Sequence, residues 1–289
     1  MRITTKFRKL LNDPGIIQAP GAYDCLTAKL IEKAGFPAVY MTGAGTSVAQ
    51  LGRPDLGLAS MTEMVANAAA LADILEVPLI ADADTGYGGV LNVRRTVRQY
   101  ERAGVAAIHI EDQEMPKRCG HLDDKKVVST EDMVQKIRAA VDARADDDFT
   151  IIVRTDSIAV TGWDDAMRRC DEYVKAGADA LFVEALRTPA EVERAGKNLD
   201  IPLLFNFVES GKSPLLSATE LERLGFKIVI YPASALLSVT HVVEQVMAQL
   251  KEKGTTAHLM DSMVSLQDCF EAMGLCSMLA EDAQFAIHA

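Results

Sequence analysis

Eight short apolar runs rich in Val, Ile and Ala alternate along the chain with amphipathic stretches, and this alternation constrains the fold more than any other feature. The runs are 16–20, 38–43, 78–83, 106–111, 149–154, 180–184, 202–207 and 227–232, and a helical pattern follows each. Repeated βα units predict a parallel sheet. Four joints punctuate the series: Lys33-Ala34-Gly35, Arg102-Ala103-Gly104, Lys175-Ala176-Gly177 and Arg223-Leu224-Gly225 each put a basic residue in the last helical turn and Gly beyond it. Eight units without an antiparallel interruption fit a closed (β/α)8 TIM barrel better than an open doubly wound sheet. The expected domains are a catalytic barrel over 1–254 and a helical extension over 255–289, packed on the barrel or on a partner subunit. The longest interruption, 114–129, follows the fourth strand, on the face where barrel active sites are built.

Composition narrows the function class. The 289-residue chain has a formal net charge of -11 and a pI near 5.0, which argues against a nucleic-acid surface, since phosphate binding needs clustered Lys and Arg. No apolar stretch approaches the length of a membrane span, and the charged segment 1–14 does not read as a signal peptide, so a soluble cytoplasmic protein is expected. Five cysteines, an odd number without CxxC spacing, speak against a disulfide framework or a zinc cluster.

The strand ends carry the chemistry. Asp82 and Asp84, Glu111 and Asp112, Arg154 and Asp156, Glu184, and Asn206 and Glu209 follow strands three to seven and converge on one mouth. Carboxylates crowded this way need a cation or an Arg to be tolerated, and oxygen donors suit Mg²⁺ or Mn²⁺. His109 alternates with Ile108 and Ile110 and reads as a buried, hydrogen-bonded side chain behind the ligands. In Lys117-Arg118-Cys119-Gly120-His121 a thiol sits among basic residues that favour thiolate, with a glycine beside it that permits a tight approach to a ligand. No Cys/His/Asn set or oxyanion turn supports Cys119 as a nucleophile, whereas a nearby metal would stabilise an enolate, so proton donation is the expected role.

The motifs GRPDLG (52–57), ADADTGYG (81–88), IHIEDQ (108–113), KRCGH (117–121), RTD (154–156) and NFVESGKSP (206–214) resemble, in order and spacing, the isocitrate lyase and phosphoenolpyruvate mutase superfamily, over nearly the whole chain. KRCGH is the mark of its lyase branch. The resemblance implies a barrel whose eighth helix, residues 236–254, is exchanged between subunits, and a homotetramer of two such dimers. It implies Mg²⁺ at Asp82, Asp84, Asp55 and Glu111, partly through waters. Substrate contacts would come from Thr42, Gly43, Ala44, Arg154, Glu184 and Asn206, with Tyr40 at the substrate hydroxyl and Arg118 and His121 at its distal carboxylate.

The implied reaction is a reverse Claisen (aldol-type) cleavage of a malate-like 2-hydroxy acid to pyruvate and a carboxylic acid, with Cys119 as proton donor. The 2-methylisocitrate lyase pattern carries Arg after KRCGH and a TEFG-like stretch after the Asn; here Leu122 and Val208-Glu209-Ser210-Gly211 stand instead. A substrate with one fewer carboxylate, a 2-alkylmalate or 2,3-dimethylmalate, therefore fits better than 2-methylisocitrate. Oxaloacetate hydrolysis or decarboxylation, and a non-catalytic carboxylate-binding barrel, are the alternatives.

Overall fold

A computed structural model describes residues 1–120, 122 and 124–285. The strands β1 (Ile17–Ala22), β2 (Val39–Met41), β3 (Leu79–Asp82), β4 (Ala107–Glu111), β5 (Thr150–Thr155), β6 (Ala180–Val183), β7 (Leu203–Asn206) and β8 (Ile228–Tyr231) pair in parallel, and β1 closes on β8. This is the expected (β/α)8 barrel. All four predicted glycine joints hold, with Gly35, Gly104, Gly177 and Gly225 at positive φ after their helices. β2 is shorter than its apolar run, because the chain turns into helix Gly43–Thr46 as soon as the Thr42 hydroxyl accepts from the Gly45 N–H at 3.2 Å.

Strand alternation builds two layers. Outward residues such as Met41, Leu79, Ile108, Ile110, Ile151 and Val153 pack under the helices. Inward residues, including Tyr40, Ile80, Ile152, Phe182, Leu204 and Ile230, fill the barrel, and helix Ile3–Asn12 joins this inner cluster through Phe7 and Leu11. With a period of two, the residue two places beyond an inward apolar side chain is also inward, one tier higher. Asp82 thus stands above Ile80, Glu111 above His109, Arg154 above Ile152, Glu184 above Phe182 and Asn206 above Leu204.

The chain divides into two compact units, Met1–Ala235 and Leu236–Ala289. The second holds nearly all of helix Ser234–Lys253, then a 3₁₀ turn Ala257–Ser262 and helices Leu266–Ala272 and Leu275–Gln284. Helix Ser234–Lys253 has no buried residue, although it carries Leu237, Val239, Val242, Val243 and Met247. Among the described residues no helix is long and apolar enough to cross a membrane.

Candidate active site

The upper tier is a buried ionic cluster. Arg154 Nε lies 2.8 Å from Asp156 Oδ2 and 3.3 Å from Glu111 Oε2, its Nη1 is 3.7 Å from Glu184 Oε2, and its guanidinium stands over the Phe182 ring at 4.9 Å. Asn206 Nδ2 donates to Glu184 Oε2 at 3.1 Å. On the β3 side, the Asp84 N–H donates to Asp82 Oδ1 at 2.9 Å, with Asp84 at φ 47, and the Asp84 carbonyl accepts from the Glu111 N–H at 2.9 Å. Tyr100 Oη donates to the Asp82 carbonyl at 2.8 Å. A Cβ on Gly43 would lie 2.2 Å from Asp82 Oδ2, so the Thr42-Gly43-Ala44 backbone comes down on the acids at a position only glycine fills.

The Lys117 ammonium lies 2.7 Å from Asp55 Oδ1 and 2.6 Å from Asp84 Oδ1. From the sequence, Lys117 is one of the cations around Cys119; the structure sends its charge to the carboxylates. Burial drives Asp84 up to about 6 against the opposing pull of Lys117, and burial holds Glu111 well above the usual carboxylate range against that of Arg154. The acids exceed what the described cations neutralise.

The cluster suits a hard divalent cation. Glu111 Oε1 is buried with no hydrogen-bond partner among the described residues, and Asp84 Oδ1 has only the Lys117 charge, outside hydrogen-bond geometry. Among the described residues no three His, Cys, Asp or Glu side chains form a ready cage. Mg²⁺ takes few carboxylates directly and keeps several waters, so an open donor set of this kind fits it.

The segment after β4 leaves and returns through a short antiparallel ladder, with the Glu114 N–H on the Lys126 carbonyl at 2.9 Å and the Val128 N–H on the Asp112 carbonyl at 2.8 Å. Beyond it the Gln113 amide grips the Arg118 backbone, donating to the carbonyl at 2.8 Å and accepting from the N–H at 3.0 Å. The Cys119 N–H donates to the Asp55 carbonyl at 3.3 Å, and Cys119 is half-buried. A Cβ on Gly120 would meet Arg154 Nη2 at 2.2 Å and Glu184 Cδ at 2.7 Å. From the sequence, this glycine lets the backbone approach a ligand; in the structure the backbone approaches the Arg154–Glu184 pair. The Arg118 side chain is exposed, 3.6 Å from Asp124. His121 lies outside the described residues.

His109 lies below the acids, fully buried, stacked on Tyr40 and edge-on to Phe182. Its Nε2 is 2.9 Å from Tyr40 Oη and 3.6 Å from Asp82 Oδ1, while Nδ1 has no hydrogen-bond partner among the described residues. A bare acceptor costs less there than a stranded donor, so we assign the Nε2–H tautomer, which donates to Tyr40 and leaves the phenolic proton for another acceptor. Burial first, with Arg154 and Lys117, lowers the His109 pKa to about 4. Between pH 6.5 and about 4 the unfolded chain then takes a proton that the folded chain refuses, so the His109 contribution to stability falls as pH falls, opposed over the same range by Asp84 and Glu111, whose raised pKa values favour the folded state on protonation. Denaturant melts of metal-free parent and His109→Gln at pH 7 and pH 5 are expected to show the parent losing about 2 kcal/mol relative to the variant between the two pH values. An unchanged slope in the variant would assign the acid sensitivity to other groups.

Lys125, Asp112 and Arg169 also belong to the site; the sequence singles out Asp112 only as a strand-end acid, and Lys125 and Arg169 not at all. Asp112 accepts from Thr155 Oγ1 at 2.7 Å, the Asp156 N–H at 2.9 Å and Tyr173 Oη at 2.8 Å, with Arg169 at 3.4 Å, tying helix Trp163–Ala176 to the Arg154-Thr155-Asp156 turn. Asp112 was visible as a strand-end acid; its partners sit 43 to 61 residues away, where no local pattern points to them.

Fold and site together define a barrel enzyme with acids, an arginine and a cysteine-bearing segment at the C-terminal mouth. The phosphoenolpyruvate phosphomutase family model matches residues 7–251, and the chain belongs to that family. It is 48% identical over 275 residues to the 2,3-dimethylmalate lyase of Eubacterium barkeri, covering 95% of each chain, and 41% identical over 277 residues to the 2-methylisocitrate lyase of Aeropyrum pernix, covering 96% of this chain and 89% of the relative. Among solved structures, 2,3-dimethylmalate lyase, a PEP mutase/isocitrate lyase superfamily member, superposes with TM-score 0.94 at 42% identity, covering 98% and 95% of the two chains. Oxaloacetate acetylhydrolase in complex with 3,3-difluorooxalacetate gives 0.94 at 38%, covering 99% and 98%. Phosphonopyruvate hydrolase with oxalate and Mg²⁺ gives 0.90 at 33%, covering 99% of each chain. The two relatives are lyases, and this chain is a carbon–carbon lyase of the same superfamily.

Proposed function

We propose that the protein cleaves a malate-like 2-hydroxy acid, a 2-alkylmalate or 2,3-dimethylmalate in preference to 2-methylisocitrate, into pyruvate and a carboxylic acid. The observation that carries this reading is the seating of Cys119 beside the acid cluster, with its N–H on the Asp55 carbonyl and Gly120 against Arg154 and Glu184. Asp82, Asp84, Glu111 and Asp55 would hold Mg²⁺, directly or through water. When bound, the ion supplies Lewis-acid polarisation and charge neutralisation for the 2-oxo acid fragment.

The chain's own residues do the rest. The Thr42-Gly43-Ala44 turn, Arg154 and Asn206 orient the substrate carboxylates, and Glu184 fixes the Arg154 and Asn206 donors. Tyr40, whose pKa burial raises well above the ordinary phenol value, stays protonated and donates to the substrate oxygen at C2. The 2-hydroxyl passes its proton to a carboxylate of the buried cluster, the C2–C3 pair moves into the departing carboxylate fragment as C2 becomes the carbonyl carbon of pyruvate, and Cys119 Sγ delivers its proton to C3, leaving a thiolate that the proton held by the cluster restores. Arg118 and His121 would meet the distal carboxylate, and the segment that carries Cys119 would exclude water from the carbanionic fragment.

A pyruvate-coupled assay over 2,3-dimethylmalate, 2-alkylmalates and 2-methylisocitrate, with products identified by NMR, tests the reading. Turnover is expected with a malate derivative, abolished by EDTA and restored by Mg²⁺ or Mn²⁺. The likeness to oxaloacetate acetylhydrolase favours one second reading: acetate and oxalate from oxaloacetate, with no malate derivative cleaved, would replace the first. Metal-dependent binding without turnover would make the protein a carboxylate-binding barrel.

The exposed apolar residues of helix Ser234–Lys253 support an exchanged helix and a homotetramer built from two exchanged dimers. Sedimentation velocity is expected to give a four-chain species; a stable monomer would remove this part of the proposal.

A further inference from the structure

Lys125 sits in the same segment as Cys119 but is buried, an expensive place for an ammonium unless its partners justify it. Its Nζ donates to the Gly120 carbonyl and, at 2.8 Å, to Asp156 Oδ1. Asp156 is the anchor of the substrate-facing guanidinium: Oδ2 takes Arg154 Nε at 2.8 Å, Oδ1 takes Arg154 Nη2 at 3.0 Å, and its N–H donates to Asp112 Oδ1 at 2.9 Å. One carboxylate thus holds both Arg154 and, through Lys125, the carbonyl next to Cys119. The missing side chain at Gly120 lets that backbone rest on Arg154 and Glu184, and the Lys125 bond keeps it there.

We propose that Lys125 is a positioning residue for the cleavage, tying the Gly120 carbonyl to Asp156 so that Cys119 is held over the Arg154–Glu184 pair. The proposal rests on the lyase reading for its kinetic part only. Lys125 touches neither the reacting carbons nor the acids of the metal cluster; it acts through the backbone on the proton donor.

The test uses the full-length protein and Lys125→Met and Lys125→Arg, with steady-state kinetics on the malate derivative turned over by the parent, a thermal melt, and peptide-resolved iodoacetamide alkylation of Cys119 relative to Cys25. Lys125→Met is expected to lower kcat by roughly 10- to 100-fold with KM nearly unchanged, the cost of a small misplacement, and Lys125→Arg to recover part of the loss. Alkylation of Cys119 is expected to accelerate about tenfold as the half-buried thiol is released, in proportion to its accessibility. Loss of a nearby cation alone would slow alkylation by disfavouring thiolate, so acceleration separates unseating from electrostatics. Unchanged kcat with unchanged alkylation overturns the proposal. So does a lowered melt with unaltered Cys119 reactivity, which would make Lys125 structural. If the parent turns over no malate derivative, the lyase reading falls, while the alkylation rate still decides whether Lys125 seats Cys119.

Discussion

Cys119→Ser is expected to lower turnover by roughly 10²- to 10⁴-fold, the usual contribution of a positioned general acid. Serine preserves the size and the backbone bond to the Asp55 carbonyl, so KM and the unfolding midpoint should stay close to those of the parent. What is lost is acidity: a hydroxyl holds its proton far more tightly than a thiol. Single-turnover measurement isolates the effect, because a proton-transfer defect slows product formation and leaves substrate binding alone. In D₂O the parent should place one deuterium at the product carbon in a single configuration, and the variant should scramble it. Full turnover by Cys119→Ser would end the proton-donor assignment.

The second large effect is on stability as well as rate. Arg154→Met should cost about 3–5 kcal/mol of unfolding free energy, because it leaves Glu111 and Glu184 buried beside an apolar side chain and Asp156 with Lys125 as its remaining cation. Part of that cost is escaped by protonation, and the sign is fixed: buried carboxylates left without their cation have folded pKa values above their unfolded ones. Their stabilising contribution is present at low pH and lost as pH rises. The variant should therefore lie closest to the parent at mildly acidic pH and diverge towards pH 8. A parallel pH dependence in urea titrations would show that Arg154 is not the charge that holds the cluster ionised. Turnover should vanish at every pH, since the substrate carboxylate loses its guanidinium and Glu184 loses the cation beside it.

Much of this was legible in the sequence, for reasons that particular residues make plain. The strands were visible because buried parallel strands are apolar runs, and their ends because Asp82, Glu111, Arg154 and Glu184 break those runs on the inward parity. Gly120 was visible because a glycine beside a thiol in a basic stretch has few other uses. The end of β2 was misplaced because Thr42 caps a helix, a decision made by one hydroxyl against an apolar pattern. The destination of Lys117 and the burial of Lys125 were hidden because a lysine in a polar loop looks solvated until its partners, Asp84 and Asp156, are brought to it by other strands. The Tyr40–His109 bond joins residues 69 apart and belongs to barrel closure alone.

The tiering of the barrel bears on descent. The apolar tier of Ile80, Ile152, Phe182 and Leu204 carries the cohesion of the interior, and the acids and arginine stand one step above it on the same strands. A lineage can exchange the upper tier, or the segment lowered onto it, while the lower tier keeps the scaffold closed. Relatives that share this fold at roughly two-fifths identity can therefore part company in chemistry by a handful of replacements at strand tips, without first reinventing a core.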